Sequence, residues 1–297
     1  MAYQILLYYT YTRVADPAYE VERQRAICQC LNLKGRILIA EEGVNGTVEG
    51  TVEDTETFIQ ACALDPIYED VVWKRSEGTG DAFPKLMVKA RKEIVTGGLG
   101  DRDVDPHRMT GQRLSAEELH DWIRSDREFT IVDMRNDFEH AVGRFEGSVL
   151  PPMGNFRDLA STLPALEHLR DKTVVTVCTG GVRCEKATGF LLENGFADVY
   201  QLQDGIVSYM EKYPNQDFKG ALYVFDGRIT MPLNQHLPGY EMVGRCELCG
   251  SPSEHFENCA NDACRRHIIC CESCLPVDGS EPFCERECAH LRHVVMV

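Results

Sequence analysis

The chain has 297 residues, 43% of them hydrophobic and 26% charged, which is enough for roughly two domains with packed cores. Its 31 basic and 47 acidic residues give a net charge of −16, which excludes a histone-like or ribosomal-type basic protein but not a local basic surface. The sequence contains no apolar run of about 18 residues and no basic-then-apolar leader at Met1–Gln4. We therefore expect a soluble, cytoplasmic protein that is neither exported nor embedded in a membrane.

The first 95 residues have the pattern of a small α+β domain. Apolar and β-branched runs predict strands at 3–11, 35–40, 44–50, 68–74 and 85–90. Helical spacing predicts helices at 17–33 and 51–64, the second with Thr51, Asp54 and Thr55 as candidate caps. The order β-α-β-β-α-β is that of a ferredoxin-like (acylphosphatase-like) domain over residues 1–95. The glycines between Gly43 and Gly50 fit either a hairpin or close approach of the backbone to a ligand.

A second domain follows a polar, glycine-rich stretch, which we interpret as a linker over residues 96–111. A capping box at Ser115 opens a helix that runs to about Arg124. Beyond it the pattern predicts strands at 129–133, 172–177 and 198–202 and helices at 163–169 and 185–194. This alternation predicts an α/β domain with a doubly wound, mostly parallel sheet over residues 112–214. Residues 215–245 are a connecting segment, and residues 246–297 are a cysteine-rich tail.

The loop Cys178–Cys184 joins a predicted strand to a predicted helix and is the strongest candidate for a reactive site. Such a loop directs backbone N–H groups to one point, and the following helix adds the positive end of its dipole. A thiol at that point is expected to be a thiolate near neutral pH. Arg183 adds a fixed charge, and the amides of Thr179, Gly180, Gly181 and Val182 are expected to stabilise the anion. The alternative is a structural cysteine buried in an ordinary turn.

The length of this loop distinguishes between two kinds of cysteine chemistry. Only four residues separate Cys178 from Arg183, one fewer than in cysteine-based phosphatases. The smaller loop suits a persulfide on the cysteine better than a phosphate.

Several short motifs give the chain a family resemblance. The chain resembles a rhodanese domain in the segments Asp133–Asn136, Gly143–Ser148, Cys178–Cys184 and Gln203–Ile206 and at Glu139. With Glu42–Val48, Lys92–Val95, Cys178–Lys186 and the tail added, nearly the whole chain is similar to the tRNA uridine hydroxylase family. That family couples a ferredoxin-like domain to a rhodanese domain and uses molecular oxygen to make 5-hydroxyuridine at the wobble position. Met134 and Leu150–Met153 depart from the usual rhodanese pattern.

The resemblance implies that the chain is an oxidoreductase of the EC 1.14 type and that Cys178 is its persulfide-forming nucleophile, assisted by Arg183. Asp133 and Arg135 end a strand at the expected catalytic edge of the sheet. Arg135 either holds an anionic substrate group or forms an ion pair with Glu139. Cys184 either resolves an oxidised Cys178 or packs in the first turn of a helix.

Nine of the 14 cysteines lie in the last 52 residues, and eight of them form short-spaced pairs. The pairs are Cys246/Cys249, Cys259/Cys264, Cys271/Cys274 and Cys284/Cys288. Four such pairs predict two tetrathiolate sites and hence about two zinc ions per chain, with iron–sulfur ligation as the competing prediction. Disulfides are less favoured in a reducing compartment. Cys270 is unpaired in this pattern, and a cysteine could be replaced as a ligand by His255, His267, His290 or His293.

One stretch of this acidic chain is locally basic and is our tentative RNA-binding segment. Between Val72 and Lys92 two acidic residues are outnumbered by six basic ones, Lys74, Arg75, Lys85, Lys89, Arg91 and Lys92. Trp73 and Phe83 lie among them and either stack on bases or belong to the core. The alternative is the solvated face of an edge strand.

These patterns and the resemblance lead to one favoured function and two alternatives. We expect a tRNA-modifying enzyme that hydroxylates the wobble uridine with oxygen as co-substrate. The first alternative is a thiosulfate-type sulfurtransferase that takes sulfur from a small donor. The second is a zinc-stabilised RNA-binding or redox adaptor without turnover.

Overall fold

The computed structural model describes residues 2–100, 103–231, 233, 235–285 and 288–289. Its N-terminal part is a five-stranded sheet with strand order β4-β1-β3-β2-β5. The strands are β1 (Tyr3–Tyr11), β2 (Lys34–Ala40), β3 (Gly43–Thr51), β4 (Lys74–Gly78) and β5 (Leu86–Ala90). Helices α1 (Pro17–Cys30) and α2 (Val52–Cys62) pack on one face. The predicted ferredoxin-like arrangement is confirmed, with β5 added as a strand parallel to β2.

Alternation along the strands gives this sheet two different faces. Leu6 and Tyr8 point into the core shared with the two helices, where they are fully buried. Leu7 and Tyr9 point to the opposite face, which no helix of this domain covers and which lines a cavity described below.

The strand predicted at 68–74 is wrong. Pro66–Tyr68 is a short 3-10 helix, capped by the Asp65 carboxylate, which accepts a hydrogen bond from the Ile67 amide at 3.0 Å. The Tyr68 hydroxyl donates to Glu20 at 2.6 Å, which holds this segment against α1. Pairing with β1 therefore begins only at Lys74.

The second domain is confirmed as a doubly wound α/β unit with a four-stranded parallel sheet, in the order β6-β10-β9-β7. Separate apolar clusters on its two faces contain Leu191 and Ile206, respectively. The strands are β6 (Gln112–Leu114), β7 (Thr130–Asp133), β8 (Gly143–Phe145), β9 (Thr173–Val177) and β10 (Asp198–Leu202), with β8 outside the parallel sheet. The helices are α3 (Ala116–Arg124), α4 (Asp137–Ala141), α5 (Leu163–Leu166), α6 (Val182–Glu193) and α7 (Gly205–Lys212).

The C-terminal part consists of short antiparallel pairs. Its strands are β11 (Phe218–Gly220), β12 (Leu222–Tyr223), β13 (Thr230–Met231), β14 (Phe256–Asn258) and β15 (His267–Ile269). Strand β11 pairs with β8, β12 with β13, and β14 with β15. The first pair attaches this part to the second domain. Across the described ranges, no helix is long and apolar enough to cross a membrane.

Candidate active site and metal centres

The Cys178 loop has the geometry of an anion-binding loop. Cys178 follows β9 directly and is fully buried. Gly181 adopts a φ of 101°, caps α6, and donates its backbone N–H to the Cys178 Sγ at 3.2 Å. Helix α6 begins at Val182, three residues before the predicted start, so Arg183 and Cys184 lie in its first turn. Their backbone amides also help to lower the pKa of the Cys178 thiol, in addition to the predicted contribution of residues 179–182.

The groups around Cys178 lower the pKa of its thiol. Burial by itself raises the pKa of Cys178, but the Cys184 thiol donates a hydrogen bond, Arg183 adds a positive charge, and the backbone amides donate to the sulfur. Together these interactions lower the pKa of Cys178 to about 6. Burial and the neighbouring Cys178 sulfur raise the pKa of Cys184 instead. Cys178 is therefore the thiolate of the pair near neutral pH, and Cys184 is its hydrogen-bond donor.

Arg183 is held by Glu139, the acid that the sequence pattern had offered as a partner for Arg135. Its Nη2 donates to the Glu139 Oε2 at 2.8 Å and to the Thr179 hydroxyl at 3.2 Å. Glu139 is fully buried, and Arg183 is nearly so. The guanidinium therefore cannot swing away from the loop without leaving a buried charge unpaired.

The predicted ion pair between Arg135 and Glu139 is wrong. Its Nη2 bonds to the Asp133 Oδ2 at 2.6 Å and to the Gly143 carbonyl at 2.7 Å, and both charged side chains are completely buried. Glu139 is engaged by Arg183 rather than by Arg135. This buried pair thus supports the end of β7, and Arg135 is not among the residues that line the cavity described below.

The loop glycines let the two domains come together. A Cβ at Gly180 would lie 3.0 Å from the Leu7 side chain, and one at Gly181 would lie 2.8 Å from the Tyr9 hydroxyl. The Tyr11 hydroxyl donates to the Val182 carbonyl at 3.2 Å. The uncovered sheet face of the first domain therefore lies directly against the Cys178 loop.

The loop is also held from the other side by the start of α7. The Ile206 amide donates to the Cys178 carbonyl at 2.9 Å, and the Val207 amide donates to the Thr179 carbonyl at 3.1 Å. Gly205 has a φ of 73°, and a Cβ there would lie 2.6 Å from the Thr179 carbonyl oxygen. This contact explains why a glycine precedes Ile206 in the motif.

A cavity of about 420 Å³ lies between the first domain, the Cys178 loop and the C-terminal part. Cys178 is buried beneath this cavity, and Thr179, Gly180, Val182 and Arg183 line it. Two carboxylates line the cavity beside seven cationic side chains, which are Arg36, Lys74, Arg75, Arg91, Arg157, Arg183 and Arg228. A protein of net charge −16 thus concentrates positive charge beside its acidic thiol, which favours an anionic substrate.

The six basic residues predicted to bind RNA do not form one strip. Strands β4 and β5 are opposite edges of the sheet, so Lys74 and Arg75 lie on a different edge from the other four, although Arg91 lines the same cavity. Lys74 is buried and pairs with Asp204 at 3.3 Å, and Arg75 pairs with Glu56. The remaining four are exposed: Lys85 precedes β5, Lys89 lies on it, and Arg91 and Lys92 follow it.

The two aromatic residues of that stretch belong to the core. The Trp73 ring lies 4.5 Å from the Tyr8 ring and 5.8 Å from the Phe58 ring. Phe83 is buried. Neither side chain is available to stack on a base.

Lys186 is a buried cation to which the sequence assigned no role beyond its place in the Cys178–Lys186 segment. Its Nζ lies 3.0 Å from Glu42, 2.9 Å from Glu93 and 2.7 Å from Asp103. Glu42 and Glu93 belong to the first domain, and Asp103 belongs to the segment interpreted as a linker. Lys186 therefore joins both to the helix that follows the Cys178 loop. A signal was present, because Glu42, Glu93 and Lys186 all lie in segments of the family resemblance.

The eight paired cysteines of the tail form two groups of four. The first group is Cys246, Cys249, Cys271 and Cys274, and the second is Cys259, Cys264, Cys284 and Cys288. Within each group all sulfur atoms lie within 4.8 Å of one another. The pairs interleave along the chain, so each group ties the first half of the tail to the second.

The donor set fits a single tetrahedral ion in each group. A zinc–sulfur distance of about 2.3 Å places ligand sulfurs about 3.8 Å apart. The Cys264–Cys284 sulfurs are 3.8 Å apart and the Cys249–Cys271 sulfurs 3.5 Å apart. A cluster of several irons would hold its thiolates farther apart, because inorganic sulfide lies between the metals. Cys270, His255 and His267 are outside both groups, and His290 and His293 lie outside the described residues.

Three family models match successive parts of the chain. Residues 3–94 match a UPF0176 acylphosphatase like domain, and residues 115–212 match a Rhodanese-like domain. Residues 219–289 match a model described as Rhodanase C-terminal.

Named relatives extend over almost the full length. A tRNA uridine(34) hydroxylase of Cytophaga hutchinsonii is 43% identical over 287 residues, which cover 96% of this chain and 89% of that protein. The Bacillus thuringiensis enzyme of that name is 40% identical over 291 residues, 97% of this chain and 88% of its own. The Bacillus licheniformis enzyme is 42% identical over 273 residues, with shares of 91% and 84%. The chain therefore belongs to the tRNA uridine(34) hydroxylase family.

Proposed function

We propose that this protein is an oxygen-dependent oxidoreductase that hydroxylates C5 of uridine 34, the wobble uridine of tRNA. The observation that supports this most is the acidic, buried Cys178 thiol beneath a cationic cavity. The named relatives supply the reaction, and the excess of positive side chains supplies a reason for an RNA substrate. We also propose a cytoplasmic location, which a tRNA substrate supports.

The net reaction replaces the C5–H bond of uracil with a C5–OH bond. One atom of molecular oxygen enters the base, and the other leaves as water. The balance takes two electrons and two protons from a reductant, for which we propose a thiol that is oxidised to a disulfide. We assign the catalytic role to Cys178, which Arg183 and the loop amides keep anionic.

We further propose that Cys178 accepts a sulfane sulfur from a small donor. Its thiolate attacks the outer sulfur of a thiosulfate-type donor, the donor's S–S bond breaks, and sulfite leaves as a persulfide forms on Cys178. The narrow loop and its inward-directed amides suit this anion. A sulfurtransferase that acts only on small molecules is disfavoured by the size and charge of the cavity, and an adaptor without turnover is disfavoured by the acidic thiol.

Cys184 provides a test of how the thiolate is stabilised. Cys184→Ala removes the thiol that donates to Cys178, so the pKa of Cys178 should rise and the acid limb of the pH–activity profile should move to higher pH. Cys184→Ser keeps a hydroxyl donor and should leave that limb near its wild-type position. The measurement is hydroxyuridine formation across the pH range. A dead serine variant would show instead that Cys184 resolves an oxidised Cys178.

We propose that each four-cysteine group holds one zinc ion and that the ions stabilise the tail. The segment is too short to fold by burial alone, so metal binding supplies folding free energy directly. Elemental analysis of protein purified without added metal should find about two zinc ions per chain. Cys271→Ser should lose one ion, whereas Cys270→Ser, which changes the neighbouring buried thiol, should keep both. Iron with sulfide, or no metal, would contradict the proposal.

A further inference from the structure

Phe225 is an aromatic ring on the wall of the cavity with no assigned role. It is 47% exposed although it is a large apolar side chain, and it lies beside the Cys178 loop, with the Arg183 guanidinium 5.8 Å from the ring centroid. Its ring contacts with Tyr223 and Phe138 are both edge-on, at 73° and 80°. Within the described part of the chain, no aromatic ring is stacked on Phe225, and its exposure leaves ring surface that a flat partner can contact.

The segment that presents Phe225 is held in place by the cysteine-rich tail. The Tyr223 ring contacts the rings of Phe256 and His267, at 5.3 and 5.8 Å, and its hydroxyl lies 3.3 Å from the His267 Nε2. These two tail residues lie on the paired strands β14 and β15. The tail thus fixes the position of a cavity wall that it does not itself form.

Three arginines on the cavity carry unbalanced charge. Arg36 on β2, Arg91 after β5 and Arg157 before α5 are all exposed. In the described ranges none of the three has an ion pair, whereas Arg75, Arg183 and Arg228 pair with Glu56, Glu139 and Asp226 and Lys74 pairs with Asp204. Three unpaired guanidinium groups from separate segments around one cavity indicate a ligand with more than one negative charge.

We propose that the cavity receives one pyrimidine nucleotide turned out of the RNA, with its base stacked on Phe225 and the neighbouring phosphates contacted by Arg36, Arg91 and Arg157. Proteins read single-stranded RNA by stacking unpaired bases on aromatic side chains. Enzymes that modify a base must take it out of the stack to reach the reacting atom. The cavity volume of about 420 Å³ lies within the roughly 300–1,000 Å³ usual for small-ligand sites.

The stacking part is tested by removing the ring while keeping apolar bulk. Phe225→Leu should raise the KM for tRNA roughly 5- to 150-fold, the equivalent of about 1–3 kcal/mol per stacked base, with a smaller change in kcat. Phe225→Tyr should restore the wild-type KM. Tyr19→Leu, at an exposed aromatic position on α1, is the matched control. The fluorescence of 2-aminopurine next to the wobble uridine should rise on binding to wild type and less on binding to Phe225→Leu.

The phosphate part is tested by the salt dependence of tRNA binding. The triple variant Arg36→Gln, Arg91→Gln, Arg157→Gln should lower the slope of log affinity against log salt by about 0.7 for each lost contact. The triple variant Arg108→Gln, Arg127→Gln, Lys172→Gln makes the same charge change at exposed positions away from the cavity and should leave the slope unchanged.

The nucleotide site rests on the proposed function, but different results would contradict the site and the function. A wild-type protein that forms no 5-hydroxyuridine would contradict the function. An active wild type, with Phe225→Leu at wild-type KM and equal salt slopes for the two triple variants, would overturn the nucleotide site alone.

Discussion

Cys178→Ser is expected to abolish 5-hydroxyuridine formation and any sulfur transfer while leaving the fold and tRNA affinity near wild type. Serine nearly preserves the volume of cysteine, so the fully buried position should still be filled. Its hydroxyl does not ionise near neutral pH and cannot hold a persulfide, so the Arg183 charge and the loop amides would have no anion to stabilise.

The comparison uses purified wild-type and variant proteins with unmodified tRNA in air-saturated buffer containing a thiol reductant. Circular dichroism and tRNA binding should be the same for both proteins. Hydroxylation by the variant at a rate comparable to wild type would show that the Cys178 loop is not the catalytic centre.

Lys186→Met is expected to lower the free energy of unfolding by about 3–5 kcal/mol, because it leaves carboxylates at a buried junction without their cation. The fully buried Lys186 is the shared partner of Glu42, Glu93 and Asp103. Because these contacts join the first domain to the helix after the Cys178 loop, the cavity should lose its shape and activity should fall sharply.

Urea unfolding followed by circular dichroism measures this effect. Lys212→Met is the matched control, since Lys212 pairs with Glu117 on the surface, where the two side chains are 52% and 54% exposed. An exposed pair of this kind contributes about 0–1 kcal/mol. Equal stabilities for the two variants would refute the structural role assigned to Lys186.

Much of the fold follows from local sequence signals. Strand β10 lies at the predicted residues, and the Ser115 capping box is present, with the Glu118 amide donating to the Ser115 hydroxyl. Spacing alone predicts that the eight paired tail cysteines form groups of four, because a tetrahedral zinc site takes four ligands. Which pairs combine does not follow, because interleaving depends on the path of the chain.

The incorrect predictions concern residues whose conformation or ion pair depends on tertiary contacts. Tyr68 belongs to a β-rich run, but its hydrogen bond to Glu20 draws the segment toward α1. Arg135 is near Glu139 in sequence, yet Asp133 is its partner and Arg183 is the partner of Glu139.

The cavity itself could not be predicted, because its parts come from distant segments. Arg36, Arg157 and Phe225 meet only when the first domain, the second domain and the C-terminal part pack together. The locally basic stretch does not form one strip, since sheet order separates Lys74 from Lys89, but three of its six cations, Lys74, Arg75 and Arg91, line the cavity.

Nucleoside mass spectrometry of tRNA tests the central claim most directly. A strain lacking this protein is grown in air and complemented with wild-type protein or with Cys178→Ser. We predict that 5-hydroxyuridine at position 34 is absent from the deletion strain, returns with the wild type and does not return with Cys178→Ser. Unchanged 5-hydroxyuridine in the deletion strain, or its full restoration by Cys178→Ser, would contradict the account.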